Sequence, residues 1–364
     1  MLDAAVKALS QILSPPMRSI LWRSIGLALV LIVAVVGQLG GDQTRVTLTE
    51  MLIRMVVVIA TYLFIGNSGI LSFGHVGFMC IGAYAAGWAT CNPAWKQLML
   101  TGLPVFLREE EYPFLLAVAG SGALAAVVAL MVGFAIMRLS GIAASIATFA
   151  FLAIVNSVYS NWDSVTAGTS SIIGIPQVVG PWKALAFALL SMVVAFVFQR
   201  SRYGLMLKAS RDDEVAAKAS AVDIVKVRLI AFVASAFLVG MGGALYGHFL
   251  GVLTVDIFYM GLTFITLSML VVGGIGSLFG AVVGVLAVTL VVEVLRAFEA
   301  GITVGGSKIA LPQGAQEIGL GVIMVLILLF RPAGLTRSRE VPWPFVRRGA
   351  KPAGEPAEQA QPAE

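Results

Sequence analysis

Apolar runs of close to 20 residues follow one another along almost the whole of this 364-residue chain, separated by short polar or glycine-bearing stretches. A run of that length, wound as a helix, spans the hydrocarbon of a bilayer. The pattern predicts ten spans, at about residues 20–40, 49–66, 71–91, 113–137, 141–159, 182–199, 228–250, 257–273, 276–296 and 315–330. The gaps at 67–70, 138–140 and 274–275 are very short, as expected if one or two segments are re-entrant or broken helices. The fold class is therefore an all-α polytopic membrane protein.

One interruption is different in kind. Between Arg200 and Arg228 the sequence turns polar, with seven of the chain's 24 Lys and Arg residues and four acids in 29 positions. Basic residues accumulate on the cytoplasmic side of short membrane loops. With the N-terminus inside, six spans return the chain inside at residue 200, and four more leave the C-terminus inside. There Arg331, Arg337, Arg339, Arg347, Arg348 and Lys351 cluster. The exterior segments are then about 41–48, 92–112, 160–181, 251–256 and 297–314. Inside the interruption, Ser210 and Asp213 form a capping-box pattern, Asp212, Asp213 and Glu214 fall in a first turn, and Glu214 and Lys218 are spaced i,i+4. A short charged helix, Ser210-Arg211-Asp212-Asp213-Glu214 through Lys218, is predicted to be a docking surface for a soluble partner.

Composition sharpens this. The chain is 59% hydrophobic and 12% charged, with a mean hydropathy of +0.95. The net charge of +5 sits at predicted cytoplasmic loops and tails, which suits anionic lipid rather than nucleic acid. The N-terminal apolar run reads as a first span and not as a removed signal, because no small-x-small site follows it. Cys80 and Cys91 lie on one predicted helix, about 16 Å apart and beyond disulfide reach. His75 and His248 are the only histidines, no ligand set has metal spacing, and no cofactor is expected.

The chain also lacks an engine. The nearest approach to a phosphate-binding loop, from Gly301 to Lys308, has Ser and Lys in the wrong order and falls in an exterior loop. Glu50 with Arg54, and Glu293 with Arg296, lie near span ends, where paired or snorkelling charges are ordinary. His75, in the Ser72-Phe73-Gly74-His75 turn, could be a titrating gate or a polar group that satisfies freed backbone carbonyls; Asn67 and Ser68 invite the second reading. The exterior loop at 166–176, with Thr169 and Ser170, either presents backbone groups to a polar solute or is an ordinary loop. A faint echo links residues 66–83 with 273–287, each a Gly-rich turn, a Ser (Ser72, Ser277) and small residues at helical spacing. It fits pseudo-symmetric repeats with interrupted helices, or merely close helix contacts.

Taken together, RSRYGLMLKASRDDEVAAKA, AFVASAFLVGMGGALYGHFLG, NSGILSFGHVGFMCIGAY, MLVVGGIGSLFGAVVGVL and LLFRPAGL resemble the inner-membrane permease subunits of branched-chain amino-acid ABC importers, of the LivM type. The resemblance covers roughly residues 50–336. It implies a bacterial inner-membrane permease, not an enzyme, that pairs with a second permease subunit, sits on two cytoplasmic ATP-binding subunits and receives solute from a periplasmic binding protein. It also implies that the segment matching 208–223 contacts the ATPase. The domain reading is then 1–48 with the first span, a permease region at 49–336 with its coupling loop at 200–227, and a disordered tail at 337–364. Asn67, Ser72, His75, Thr169, Ser170 and Ser277 are the translocation-path candidates. Two departures stand out: Ala221 where the family often has Gly, and AGTSSII where it usually has a TGGxxGL-like run. The second leaves urea, amide or small-acid permeases as alternatives, with a stand-alone carrier or channel as the remaining one.

Overall fold

Backbone that crosses hydrocarbon has to satisfy its own N–H and C=O groups, and the apolar runs of this chain do so as helices. The computed structural model describes residues 41–304, 307–309, 312, 314–330 and 334–336, together with 29, 30, 33 and 34. Among them are fourteen α-helices: α1 (Asp42–Ser68), α2 (His75–Thr90), α3 (Pro93–Met99), α4 (Val105–Glu109), α5 (Phe114–Ile136), α6 (Gly141–Asn161), α7 (Asp163–Thr166), α8 (Pro181–Arg200), α9 (Arg202–Asp212), α10 (Glu214–Ala219), α11 (Ile224–Leu250), α12 (Met260–Gly273), α13 (Leu278–Ala300) and α14 (Ala315–Phe330). Two antiparallel strand pairs complete the set, β1 (Ile172–Ile173) with β2 (Val252–Leu253) and β3 (Ile302–Val304) with β4 (Ser307–Ile309).

Seven of the ten expected spans are helices long and apolar enough to cross a membrane: α1, α5, α6, α8, α11, α12 with the 3-10 turn before it, and α13. The protein is an all-α, multi-pass membrane protein. The other three expected spans differ. The one at 71–91 is the 16-residue α2, reached through the non-helical residues 69–74. The one at 315–330 is also 16 residues long. The one at 20–40 lies outside the described residues apart from four helical positions, and so does the tail at 337–364. Helix α1 runs unbroken through residue 48, where the sequence suggested a boundary, because Asp42 to Thr47 continue it beyond the apolar run.

The interior is built around α11, which packs against α1, α2 and α5, while α1 also carries α8 and α13. Small residues let these backbones approach closely. A Cβ placed on Gly243 of α11 would lie 2.0 Å from the Met79 carbonyl of α2. Helix α2 is consequently sheathed by protein, with only Ala85 and Trp88 partly exposed. By contrast α5 and α6 turn Leu115, Met131, Ile142 and Ile146 outwards.

The β1–β2 pair joins the loop after α6 to the end of α11, at the end of the bundle opposite α9 and α10. At that same end the loop at 92–112 is organised by a cation, although the sequence there reads as acidic. Lys96 is fully buried, and its Nζ donates to the carbonyls of Trp88 at 3.1 Å, Leu107 at 2.7 Å and Glu110 at 2.6 Å. All three ammonium protons are used. Burial holds this ammonium below the ordinary lysine pKa.

Candidate functional site

The polar interruption folds as two short helices. Ser201 opens α9 by accepting the Gly204 N–H at 3.2 Å. Helix α9 stops at Asp212, and Asp213 turns the chain: its Oδ1 accepts the N–H groups of Val215 at 2.8 Å and Ala216 at 3.0 Å, capping α10. The capping box expected at Ser210 is not formed. Ser210 is buried in the last turn of α9, and its hydroxyl donates to the Leu207 carbonyl at 2.8 Å. Helix formation by the apolar face of α9 wins over the cap, and Asp213 takes the capping role three residues later.

The acids accordingly separate. Asp212 and Asp213 are exposed. Glu214 turns inward, bonding Lys218 at 3.2 Å as its spacing predicted, and also the buried Arg228 of α11 at 3.2 Å. The hydrogen bond from Lys218, together with the Arg228 charge, keeps the Glu214 carboxyl below the ordinary carboxylate pKa. The outward face includes apolar residues that attention to charge passed over: Leu205, Met206 and Val215, the last 79% exposed. They were legible as apolar positions inside a polar segment.

At this end of the bundle lie two helix breaks. Helix α1 ends at Ser68, with Gly69 left-handed at φ 73°. Helix α12 ends at Gly273, with Gly274 at φ 119°. The breaks touch, since a Cβ on Gly66 would lie 2.7 Å from the Ile275 carbonyl oxygen. In the first, Asn67 is buried and donates to the Leu63 carbonyl at 2.8 Å, while its Oδ1 has no partner among the described residues. Phe73 N–H donates to Thr148 of α6 at 3.2 Å.

His75 opens α2, fully enclosed, with Phe64, Phe78 and Phe232 around its ring. Its Nδ1 meets the Ser72 hydroxyl and its Nε2 the Ser235 hydroxyl, each at 2.8 Å. Ser235 donates its one proton to the Ala60 carbonyl at 2.6 Å, so it can only accept from His75. That assigns the proton to Nε2, leaving Nδ1 to accept from Ser72. The ring thus ties the break to α1 and α11. Ser235 was not singled out from sequence, although a serine within an apolar run was the signal available.

In the second break, Ser277 is buried and caps α13 by accepting the Gly280 N–H at 3.1 Å. The orphan carbonyls of α12 are closed from further along the chain: Leu335 N–H reaches Val272 O at 2.8 Å, and Thr336 reaches Gly273 O through its N–H at 3.2 Å and Oγ1 at 2.8 Å.

The remaining candidates are elsewhere. Thr169 and Ser170 are exposed on the loop after α7, at the opposite end from Asn67, Ser72, His75 and Ser277. The span-end charges pair as expected, Glu50 with Arg54 and Glu293 with Arg296, and Thr47 adds a hydrogen bond to Glu293 at 3.0 Å.

Comparison with known proteins adds the following. The family described as "Branched-chain amino acid transport system / permease component" matches residues 44–330. The chain is 24% identical to the high-affinity branched-chain amino acid transport system permease protein LivM of Escherichia coli, over 79% of this chain and 68% of that protein. It is 25% identical to the protein of the same name from Salmonella typhimurium, with the same coverage. No solved structure matches it.

Proposed function

Because the chain belongs to the family of permease components of branched-chain amino-acid transport systems, we propose that it is the translocating subunit of an ABC importer, driven by two ATP-hydrolysing subunits that dock on α9 and α10. The observation that carries this reading is the outward face of that helix pair. Val215, Leu205 and Met206 stand exposed beside Asp212 and Asp213, at the end that also holds both breaks. Exposed apolar anchors with charges around them are the usual make-up of a protein interface.

On this reading the docking end faces the cytoplasm, the chain lies in a bacterial inner membrane with both termini inside, and the loop bearing Thr169 and Ser170 receives solute from a periplasmic binding protein. A second permease subunit and lipid cover the apolar faces of α5 and α6. The relatives' names supply the solute class, a branched-chain amino acid, and Asn67, Ser72, His75 and Ser277 lie where it leaves the membrane.

Val215→Asp tests the docking. The residue is too exposed to hold the fold together, so the variant accumulates in the membrane at the parental amount. Loss of an interface anchor costs about 2 kcal/mol or more, so co-purification of the ATP-hydrolysing subunits and uptake of labelled leucine both fall about 30-fold. Parental uptake by the variant overturns the docking surface. Transport of urea or acetamide in place of leucine by the parental complex overturns the solute class.

A further inference from the structure

The first break is held from outside its own helices. The last carbonyls of a helix have no intrahelical partner. In α1, Ile65 O accepts the Gly69 N–H at 2.9 Å. The next carbonyl, Gly66 O, accepts Nη1 of Arg211 at 2.8 Å, although Arg211 is 145 positions further along the chain. The guanidinium brings positive charge to the negative end of the α1 dipole. Its stem runs over Gly69, and a Cβ placed there would lie 2.6 Å from Arg211 Cγ and 3.8 Å from Arg211 Cβ. Arg211 stands at the joint between α9 and α10, one residue before Asp212 and two before the Asp213 cap.

We propose that Arg211 is the positioning residue that makes the first break follow the docking helices. The proposal rests on reading α9 and α10 as the ATPase-docking surface. Glu214 holds α10 to the start of α11 through Arg228, and Arg211 holds the end of α9 to the end of α1. A displacement of the helix pair therefore pulls on the residue where α1 gives way to residues 69–74, and through Ser72 on His75 and α2. Without Arg211, α9 still packs beside α1, but its polar hold on the end of α1 is gone. Each hydrolysis then moves less solute.

The test is made on the complete transporter in proteoliposomes, with leucine as the probe solute and with uptake per ATP hydrolysed as the readout. A purely structural role lowers protein amount and leaves this ratio alone. In the assembled complex carrying Arg211→Ala, uptake per ATP hydrolysed should fall about tenfold, the scale of one charge-assisted hydrogen bond. A second variant, Gly69→Cys with Arg211→Cys, uses the 3.8 Å Cβ separation, which matches disulfide geometry. Reduced, its ratio should be at or below that of Arg211→Ala, because a Cβ at the left-handed residue 69 adds backbone strain; oxidised, the covalent link replaces the guanidinium and the ratio rises above the reduced value. An unchanged ratio in Arg211→Ala, or a double variant indifferent to oxidation, overturns the transmission role. So does loss of the ATP-hydrolysing subunits from Arg211→Ala, which would make Arg211 part of the interface itself. The docking reading fails separately, through Val215→Asp.

Discussion

The two breaks solve the same problem by different means. In the second, α12 and α13 meet backbone to backbone: a Cβ on Gly284 would lie 1.8 Å from the Met269 carbonyl, and one on Gly273 would lie 1.9 Å from that of Gly280. Its free carbonyls are closed by residues 335 and 336, largely through main-chain donors. In the first, residues 69–74 are propped by side chains, those of Ser72, His75, Ser235, Thr148 and Arg211. Main-chain contacts between glycines have one geometry, whereas side-chain props have rotamers. The second break is thus held mainly by main-chain contacts and the first by side chains.

Four experiments press on that difference. The largest effect is expected from Gly284→Ala, whose methyl group meets backbone with no side chain to yield; the protein should be strongly depleted from membranes, as an immunoblot would register. Next is Ser235→Ala, which strands the buried His75 N–H at a cost of about 1–3 kcal/mol. It should lower the thermal midpoint of the purified protein and slow uptake without removing the protein. Thr336→Val is expected to be milder still, because Gly273 O keeps the residue-336 N–H; a change within about 1 kcal/mol in thermal stability is anticipated.

The smallest effect concerns the fastening of the loop. The Glu214 carboxyl is held below its ordinary value, so its ion pairs contribute fully above the unfolded carboxylate range. That contribution fades as pH falls through the lowered value. Amide exchange at residues 214–220, corrected for intrinsic rates, should show less protection at pH 3 than at pH 7. Exchange around residues 273–284, where the hydrogen bonds made by Leu335, Thr336 and Ser277 involve no carboxylate, should not change.

How much of this was legible beforehand follows the range of each interaction. The long spans were, because apolar length is a local property. The Glu214–Lys218 pair was legible from i,i+4 spacing; Glu214–Arg228 and Arg211–Gly66 were not, since neither spacing nor composition indicates which distant group a side chain will reach. Ser210 misled because its pattern is local while its burial is tertiary. Two alanines share an outcome that spacing and composition do not announce. Ala167, in the AGTSSII run, and Ala221 are the two non-glycine residues with positive φ among those described, at 61° and 60°. The left-handed backbone persists with a Cβ present, a strain of roughly 1–2 kcal/mol each that the surrounding fold absorbs.

The shortness of α2 has a consequence for where this protein can work. Sixteen residues rise about 24 Å, less than a hydrocarbon core of about 30 Å. A lipid-facing helix of that length would thin the bilayer around it or tilt its neighbours. For α2 no such adjustment is required, because it is wrapped in protein, whereas exposed apolar side chains stand on longer helices such as α5 and α6. The buried His75 that opens α2 therefore has no lipid-facing surface of its own through which membrane thickness would act on it.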